Sequence, residues 1–206
     1  MSTKNLPNIG ARTINSFKSK LIGGGARPNL FEVQLANIPG VANWQGDTAT
    51  AFTYLCKASS LPASTIANVD VPFRGRIFKV AGDRTIENWS VTVINDEDFK
   101  IRNAFEEWMQ LIAKLDNNLG ATNPSSYMVD ADVYQLGRGG KAGARSNSSA
   151  GEVSAVLKQY KMQGIFPISL AAIDLSYDTG DTIEEFAVEF AVQSFNPVGQ
   201  VGERTA

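Results

Sequence analysis

The sequence predicts a mainly β fold with one packed α-helix (α+β), its strands mostly antiparallel. Three observations lead there. Several segments alternate apolar and polar residues with period two, which suits strands buried on one face and wet on the other. One stretch, from Ile101 to Leu115, repeats its apolar residues at helical spacing. The 18 glycines in 206 residues supply turns and bulges between these elements.

Taken in order, residues 11–21 (ARTINSFKSKL) place Ile14, Phe17 and Leu21 on one helical stripe before the glycines at 23–25. This reads as a short amphipathic helix or arm on a hinge. The segment NLFEVQLANI alternates Phe31, Val33 and Leu35 against Glu32, Gln34 and Ala36 as a first strand. AFTYLCKASSLP at 51–62, rich in β-forming residues and ending at Pro62, reads as a second, with Cys56 in phase with Phe52 and Tyr54. RGRIFKVAG and NWSVTVIN follow, the latter with Trp89, Val91 and Val93 inward and Ser90 and Thr92 outward. Up to this point the pattern is that of an antiparallel meander.

A helix is expected over 97–116, opened by Asn95 and the acidic run Asp96, Glu97 and Asp98, and stopped by NNLG at 117–120. Its stripe of Ile101, Phe105, Trp108, Ile112 and Leu115 must lie against a sheet. SYMVDADVYQL and EVSAVLKQYKM read as strands on either side of a flexible basic loop, 137–151, with Arg138, Lys141 and Arg145 as its charges. GIFPISLAAIDLSY, the turn DTGD and EEFAVEFAVQSF then form a hairpin with a long turn. In the last strand Phe186, Val188, Phe190 and Val192 face a core, opposite Glu185, Ala187, Glu189, Ala191 and Gln193. The organisation expected is an N-terminal arm (1–25), one β domain (26–195) and a polar tail (196–206).

A chain of 206 residues is long enough for one good core. The net charge of −2 argues against broad phosphate neutralisation on nucleic acid. With no histidine and Cys56 as the single cysteine, zinc sites, Cys-His nucleophiles, Ser-His-Asp triads and internal disulfides are excluded. The N-terminus has no continuous apolar run of signal-peptide length, and no stretch reaches transmembrane length, so synthesis and assembly in a cytoplasm are expected.

The glycine-rich stretches GGGARPN and GRGGKAGARS do not fit a phosphate-binding loop. Asp174, Asp178, Asp181, Glu184 and Glu185 lack the spacing of a calcium loop and read as a solvated turn. Trp89 and Trp108 fall on apolar faces as core residues, and Cys56 reads as a small buried hydrophobe. No catalytic, cofactor or metal site is expected. The polar strand faces look either to bulk water or into an aqueous channel made by copies joined edge to edge, and periodicity does not choose between them.

Four segments carry a resemblance: ARPNLFEVQL (26–35), CKASSLPA (56–63), VAGDRTIENWSVTVINDED (80–98) and GIFPISLAAIDLSYDTGDTIEEFAVEFAV (164–192). In this order they resemble the tail-tube protein family of contractile-tailed bacteriophages. The stretch with Ala81, Gly82, Asp83, Arg84, Thr85 and Trp89, followed by Asn95, Asp96 and Glu97, is the most specific part. The 137–151 loop and the N-terminal arm are longer than the compact family pattern.

The resemblance implies an antiparallel β-sandwich or barrel domain of the tail-tube type flanked by a helix, and a late structural protein of the virion, not an enzyme. Its subunits would form hexameric rings whose strands join into one inner barrel, stacked into a hollow tube inside the tail sheath. Implied partners are copies of itself, the sheath protein, baseplate and tail-terminator proteins, the tape-measure protein during assembly, and double-stranded DNA passing without specific binding at ejection, with no membrane insertion. Glu185, Ala187, Glu189, Ala191 and Gln193, with Glu32, Gln34, Ser90 and Thr92, would line the lumen, where carboxylates repel phosphate. Arg74 and Arg76 would meet Asp178 and Asp181 either of a neighbour or as a solvated pair within one subunit, and the arm, residues 57–80 and the 137–151 loop would supply ring or sheath contacts. The rival readings are a tube protein of a phage-derived injection device or type VI secretion system carrying protein cargo and, more distantly, a monomeric β-rich binding module.

Overall fold

In a computed structural model, the structure describes residues 13–21, 25–137, 156–178 and 180–198. The polar tail from 199 and residues 138–151 of the basic loop lie outside the described residues.

The alternating segments form strands. β1 (Phe31–Leu35) buries Val33 and Leu35, β5 (Trp89–Ile94) buries Trp89, Val91 and Val93, and β8 (Glu185–Ala191) buries Phe186, Val188 and Phe190. β6 (Val129–Leu136) does the same with Val129, Ala131 and Val133. β2 (Cys56–Ser60), β7 (Val156–Leu170) and β9 (Ser194–Val198) complete a seven-stranded antiparallel sheet in the order β1-β6-β7-β8-β5-β2, with β9 also on β7. The chain is therefore not a meander: β1 finds β6 and β2 finds β5 across long stretches of sequence.

β7 holds the sheet together. Its first part pairs with β6 and β9, and Phe166–Leu170 pairs with β8, so two stretches that read as separate strands are one. It turns at Gly164, whose φ of 62° favours glycine, opposite the break between β8 and β9. The sheet curls so far that its end strands β1 and β2 touch.

Two helices close the curl over the core. α2 (Gly46–Leu55) occupies residues expected as strand: Thr48 and Phe52, four apart, form its buried side, while Tyr54 is 81% exposed. Packing decides this element, because Phe52 lies edge-on to Trp44 at 5.6 Å and to Phe105 at 5.8 Å. α3 (Lys100–Ile112) is shorter at both ends than expected. It starts behind Phe99, held in the left-handed region at φ 53°, so the preceding acidic run does not cap it. Leu115 falls beyond the helix and is exposed. Phe105 and Trp108 pack on Phe190, and the Trp108 indole N–H donates to the Tyr127 carbonyl at 2.8 Å. The first helix, α1 (Ile14–Lys20), forms where expected with Ile14, Phe17 and Leu21 exposed.

A separate sheet holds β3 (Ser64–Phe73) and β4 (Arg76–Ile86), joined at Arg74 and Gly75. Positive φ at both residues, 45° and 81°, fits the tight turn that matches strand twist. Most of the segment 57–80, expected to supply ring or sheath contacts, thus belongs to a long hairpin, and RGRIFKVAG supplies the start of β4 as a strand, as expected.

Candidate functional site: the outer face of the sheet and the hairpin

Every strand of the main sheet that buries one face presents the other. On the β8 side, Ser90 lies opposite Glu189 and Thr92 opposite Ala187. Ser60 continues the row beside Ser90, Ala58 beside Thr92, and Ser169 of β7 flanks Glu189 from the other side. Glu185, Ala187, Glu189, Ala191, Ser90 and Thr92 therefore share one contiguous patch, as the alternation predicts. Gln193 lies beyond β8, at the break before β9.

Lys57, at the bulge in β2, reaches across to make an ion pair with Glu185. Both groups are partly exposed, so the pair adds little stability. It does cancel one of the two carboxylates, leaving Glu189 as the uncompensated charge of this patch among the described residues. Lys57 escaped the sequence reading because the β2 bulge shifts its phase.

Glu32 and Gln34 sit on the outer face of β1, opposite Tyr134 and Asp132 of β6. Beyond them stand Gln159 and Lys161 of β7. These side chains bond to one another: Gln34 donates to Glu32 at 2.5 Å, Gln159 to Asp132 at 2.9 Å, and Lys161 pairs with Asp130 at 3.2 Å. The alternation in VDADVYQL is the signal that points to Asp130 and Asp132. This second patch is separated from the first by the turn of β7.

The hairpin has two unlike faces. Asp70 and Lys79 pair across it at 3.0 Å on one side, while Val69 with Val80 and Val71 with Phe78 stand on the other, ending at Phe73 beside Arg76. All of β3 is exposed, with Phe73 and Phe78 about two-thirds exposed at 65% and 67%. The Arg74 guanidinium lies over the Phe73 ring at 5.4 Å. Asp178 is in an exposed turn, its backbone N–H donating to the Ser176 hydroxyl at 3.2 Å, and Asp181 is exposed nearby. Among the described residues, no ion pair within the chain joins Arg74 or Arg76 to Asp178 or Asp181.

An open cleft of about 760 Å³ lies where β1 and β2 meet, lined by Glu32, Gln34, Thr53, Tyr54, Cys56 and Lys57 among others. Among the described residues no three His, Cys, Asp or Glu side chains gather as a metal site, and no helix is long and apolar enough to cross a membrane. Burial pushes the Cys56 thiol up to about 12, which removes it as a nucleophile near neutral pH.

Comparison with known proteins adds four findings. Residues 26–197 match the family model described as phage tail tube protein. Tail tube protein gp19 of Enterobacteria phage T4 is 32% identical over 170 residues, 82% of this chain and 90% of that protein. The tail tube protein of Serratia phage KSP90 is 25% identical over 179 residues, 86% of this chain and 92% of that protein. Among solved structures, a chain of the sheath-tube complex of an extracellular contractile injection system superimposes with a TM-score of 0.54. It is 13% identical, and the match covers 87% of this chain and 96% of that one.

Proposed function

The chain belongs to the phage tail tube protein family and is a structural tube subunit of a contractile tail; on that premise we propose that it stacks as hexameric rings into a hollow tube conducting double-stranded DNA. The observation that carries the assembly step is the hairpin. A two-stranded ribbon is marginal alone in water, and this one holds ten- and eleven-residue strands with Val69, Val71, Phe73, Phe78 and Val80 uncovered on one face. An exposed apolar face of that kind marks a protein contact, and a second copy supplies it.

The outer sheet face supports the conduit. Side chains there are short or acidic, and a duplex passing a wall with an uncompensated carboxylate per subunit is repelled, not held. Screening limits that repulsion to about 8–10 Å at physiological salt, so it acts as the DNA touches the wall. Lumen lining by Glu185, Ala187, Glu189, Ala191, Gln193, Ser90, Thr92, Glu32 and Gln34 belongs to this reading. So do contacts of Arg74 and Arg76 with a neighbour's Asp178 and Asp181, and partnership with sheath, baseplate, terminator and tape-measure proteins. Membership of the phage tail tube family and 32% identity with a tail tube protein of phage T4 support the phage reading over the injection-device one.

Cryo-electron microscopy of the concentrated protein, with and without baseplates as seeds, tests the proposal. Hollow sixfold rings or tubes are the expected result. A monomer that persists in the presence of seeds would overturn it and return the polar faces to bulk water.

A further inference from the structure

Two uncovered apolar features lie away from the polar sheet faces and the hairpin. α1 carries Ile14, Phe17 and Leu21 on one stripe, 66%, 61% and 46% exposed. Isolated helices shorter than about 12–15 residues are marginal in water, so a helix of seven residues needs a surface to lie on. The second feature is a groove of about 570 Å³ between the end of α3 and the last part of β7. Met109, Ile112, Ala113, Leu115, Pro167 and Ile168 line it, and Leu115 is 88% exposed.

We infer that this groove receives α1 of a second copy of the chain. The contact rests on the tube reading and joins one subunit of the tube to another. An amphipathic helix fills an apolar groove with anchors at i, i+3 and i+7, and Ile14, Phe17 and Leu21 have that spacing. Charge agrees with the fit. Lys18 and Lys20 stand in the last turn of α1, while the one ionised group lining the groove is the Glu106 carboxylate, half exposed and held on one side by Arg102 at 2.8 Å.

Strand pairing selects a second copy over the arm's own subunit. The arm enters the sheet at Phe31, opposite Gln135, beside the pair of Leu136 and Val156 that marks one end of β6 and β7. The groove lies beyond the other end, where Val129 pairs with Ile165 and β7 runs on to Pro167 and Ile168. The eight residues of β6 put roughly 25 Å between those ends. Part of the arm's reach is also spent in a turn, in which the Leu30 N–H donates to the Arg27 carbonyl at 3.2 Å. A donor and an acceptor at opposite ends of a subunit make a head-to-tail contact, the kind that propagates from copy to copy. Since α1 lies ahead of residues 26–197, the stretch that matches the tail tube family model, the contact is an addition made by the arm of this chain.

Disulfide trapping in assembled tubes tests this. Phe17 and Leu115 are both exposed, so replacing either by cysteine removes no core packing, and the native Cys56 is buried. Phe17→Cys and Leu115→Cys proteins are mixed, assembled, checked for tubes by electron microscopy and oxidised gently. A linked dimer on a non-reducing gel is expected from the mixture, and a ladder of multimers from a chain carrying both substitutions. Phe17→Cys mixed with Leu175→Cys, whose side chain is exposed on a different part of the surface, should give no dimer. Tubes without cross-links, a disulfide closed within single chains carrying both substitutions, or equal cross-linking to position 175 overturns the inference. Leu21→Cys with Ile168→Cys replaces the first pair if that mixture does not assemble. Absence of tubes from the unsubstituted protein is a distinct failure, which overturns the tube reading itself.

Discussion

Gly164 and Gln193 meet where β7 turns. Gly164 has φ 62°, and a Cβ placed on it would stand 2.9 Å from Gln193 Cγ and 3.3 Å from its Cβ. The Gly164 N–H also donates to Asp130 at 3.2 Å, tying the turn to β6. Two penalties fall on any larger residue: the left-handed backbone, costing roughly 1–2 kcal/mol for an L-residue, and the push on Gln193. Gly164→Ala should therefore lower the unfolding free energy by about 1–3 kcal/mol, read as a lower urea midpoint with unchanged slope. An unchanged midpoint would show that the turn is not strained against side chains.

The hairpin separates folding from assembly. Phe73 and Phe78 are exposed, so Phe73→Asp with Phe78→Asp removes almost no packing within the subunit. The double variant should stay soluble with stability within about 0.5 kcal/mol of the parent, while tubes disappear from micrographs. Phe190→Asp is the contrasting case. That ring is fully buried between Trp89, Phe105 and Trp108, and a carboxylate there has no partner, so the protein should fail to fold. Tubes formed by the hairpin variant would exclude this face from assembly.

Glu185→Lys with Glu189→Lys reverses the charge of the β8 patch. The first substitution also replaces an ion pair with two facing ammonium groups, at Lys57 and position 185. Because these groups are partly exposed, the stability lost should stay near 1 kcal/mol or below. Rings should still form, and the duplex should now be held by the wall, so that virions carrying only this variant release DNA slowly and infect poorly. The delay should shrink as salt rises, since phosphate contacts weaken steeply with ionic strength. Normal delivery at low salt would remove these residues from the bore.

What could be read in advance follows from how local each signal is. β1, β5, β6 and β8 were legible because each buries every second residue, and the core rows of Val33, Val91, Val133 and Val188 follow directly. α2 was not, because Phe52, Tyr54 and Cys56 mimic strand spacing, whereas the contacts that make it a helix come from Trp44 and Phe105, far apart in sequence. RGRIFKVAG was read as a strand and falls in β4, but its partner β3 was not, because its apolar residues find no core within the chain to point to. The lumen set as a whole needs strand order: nothing in FEVQL or EEFAVEF says that β1 and β8 stand three places apart in the sheet. Lys57 needed a bulge that only the pairing with β5 reveals.

The last prediction concerns Cys56, which is buried beside α2 and whose thiol is pushed up to about 12 by loss of water. In the unfolded chain the thiol ionises near 8.5. Below that value both states hold the proton and the group adds no pH dependence. As pH rises past it, the unfolded state loses its proton and the folded state keeps it, so stability falls progressively until the folded thiol ionises near 12. Native protein at pH 8 should therefore resist a thiol reagent that labels it promptly in urea. Cys56→Ala leaves a small cavity and lowers stability at neutral pH, yet its stability should fall less steeply than the parent's between pH 9 and the upper value near 12. Equal alkaline slopes in the two proteins, or rapid labelling of the folded parent, would show that the thiol reaches water in the native state.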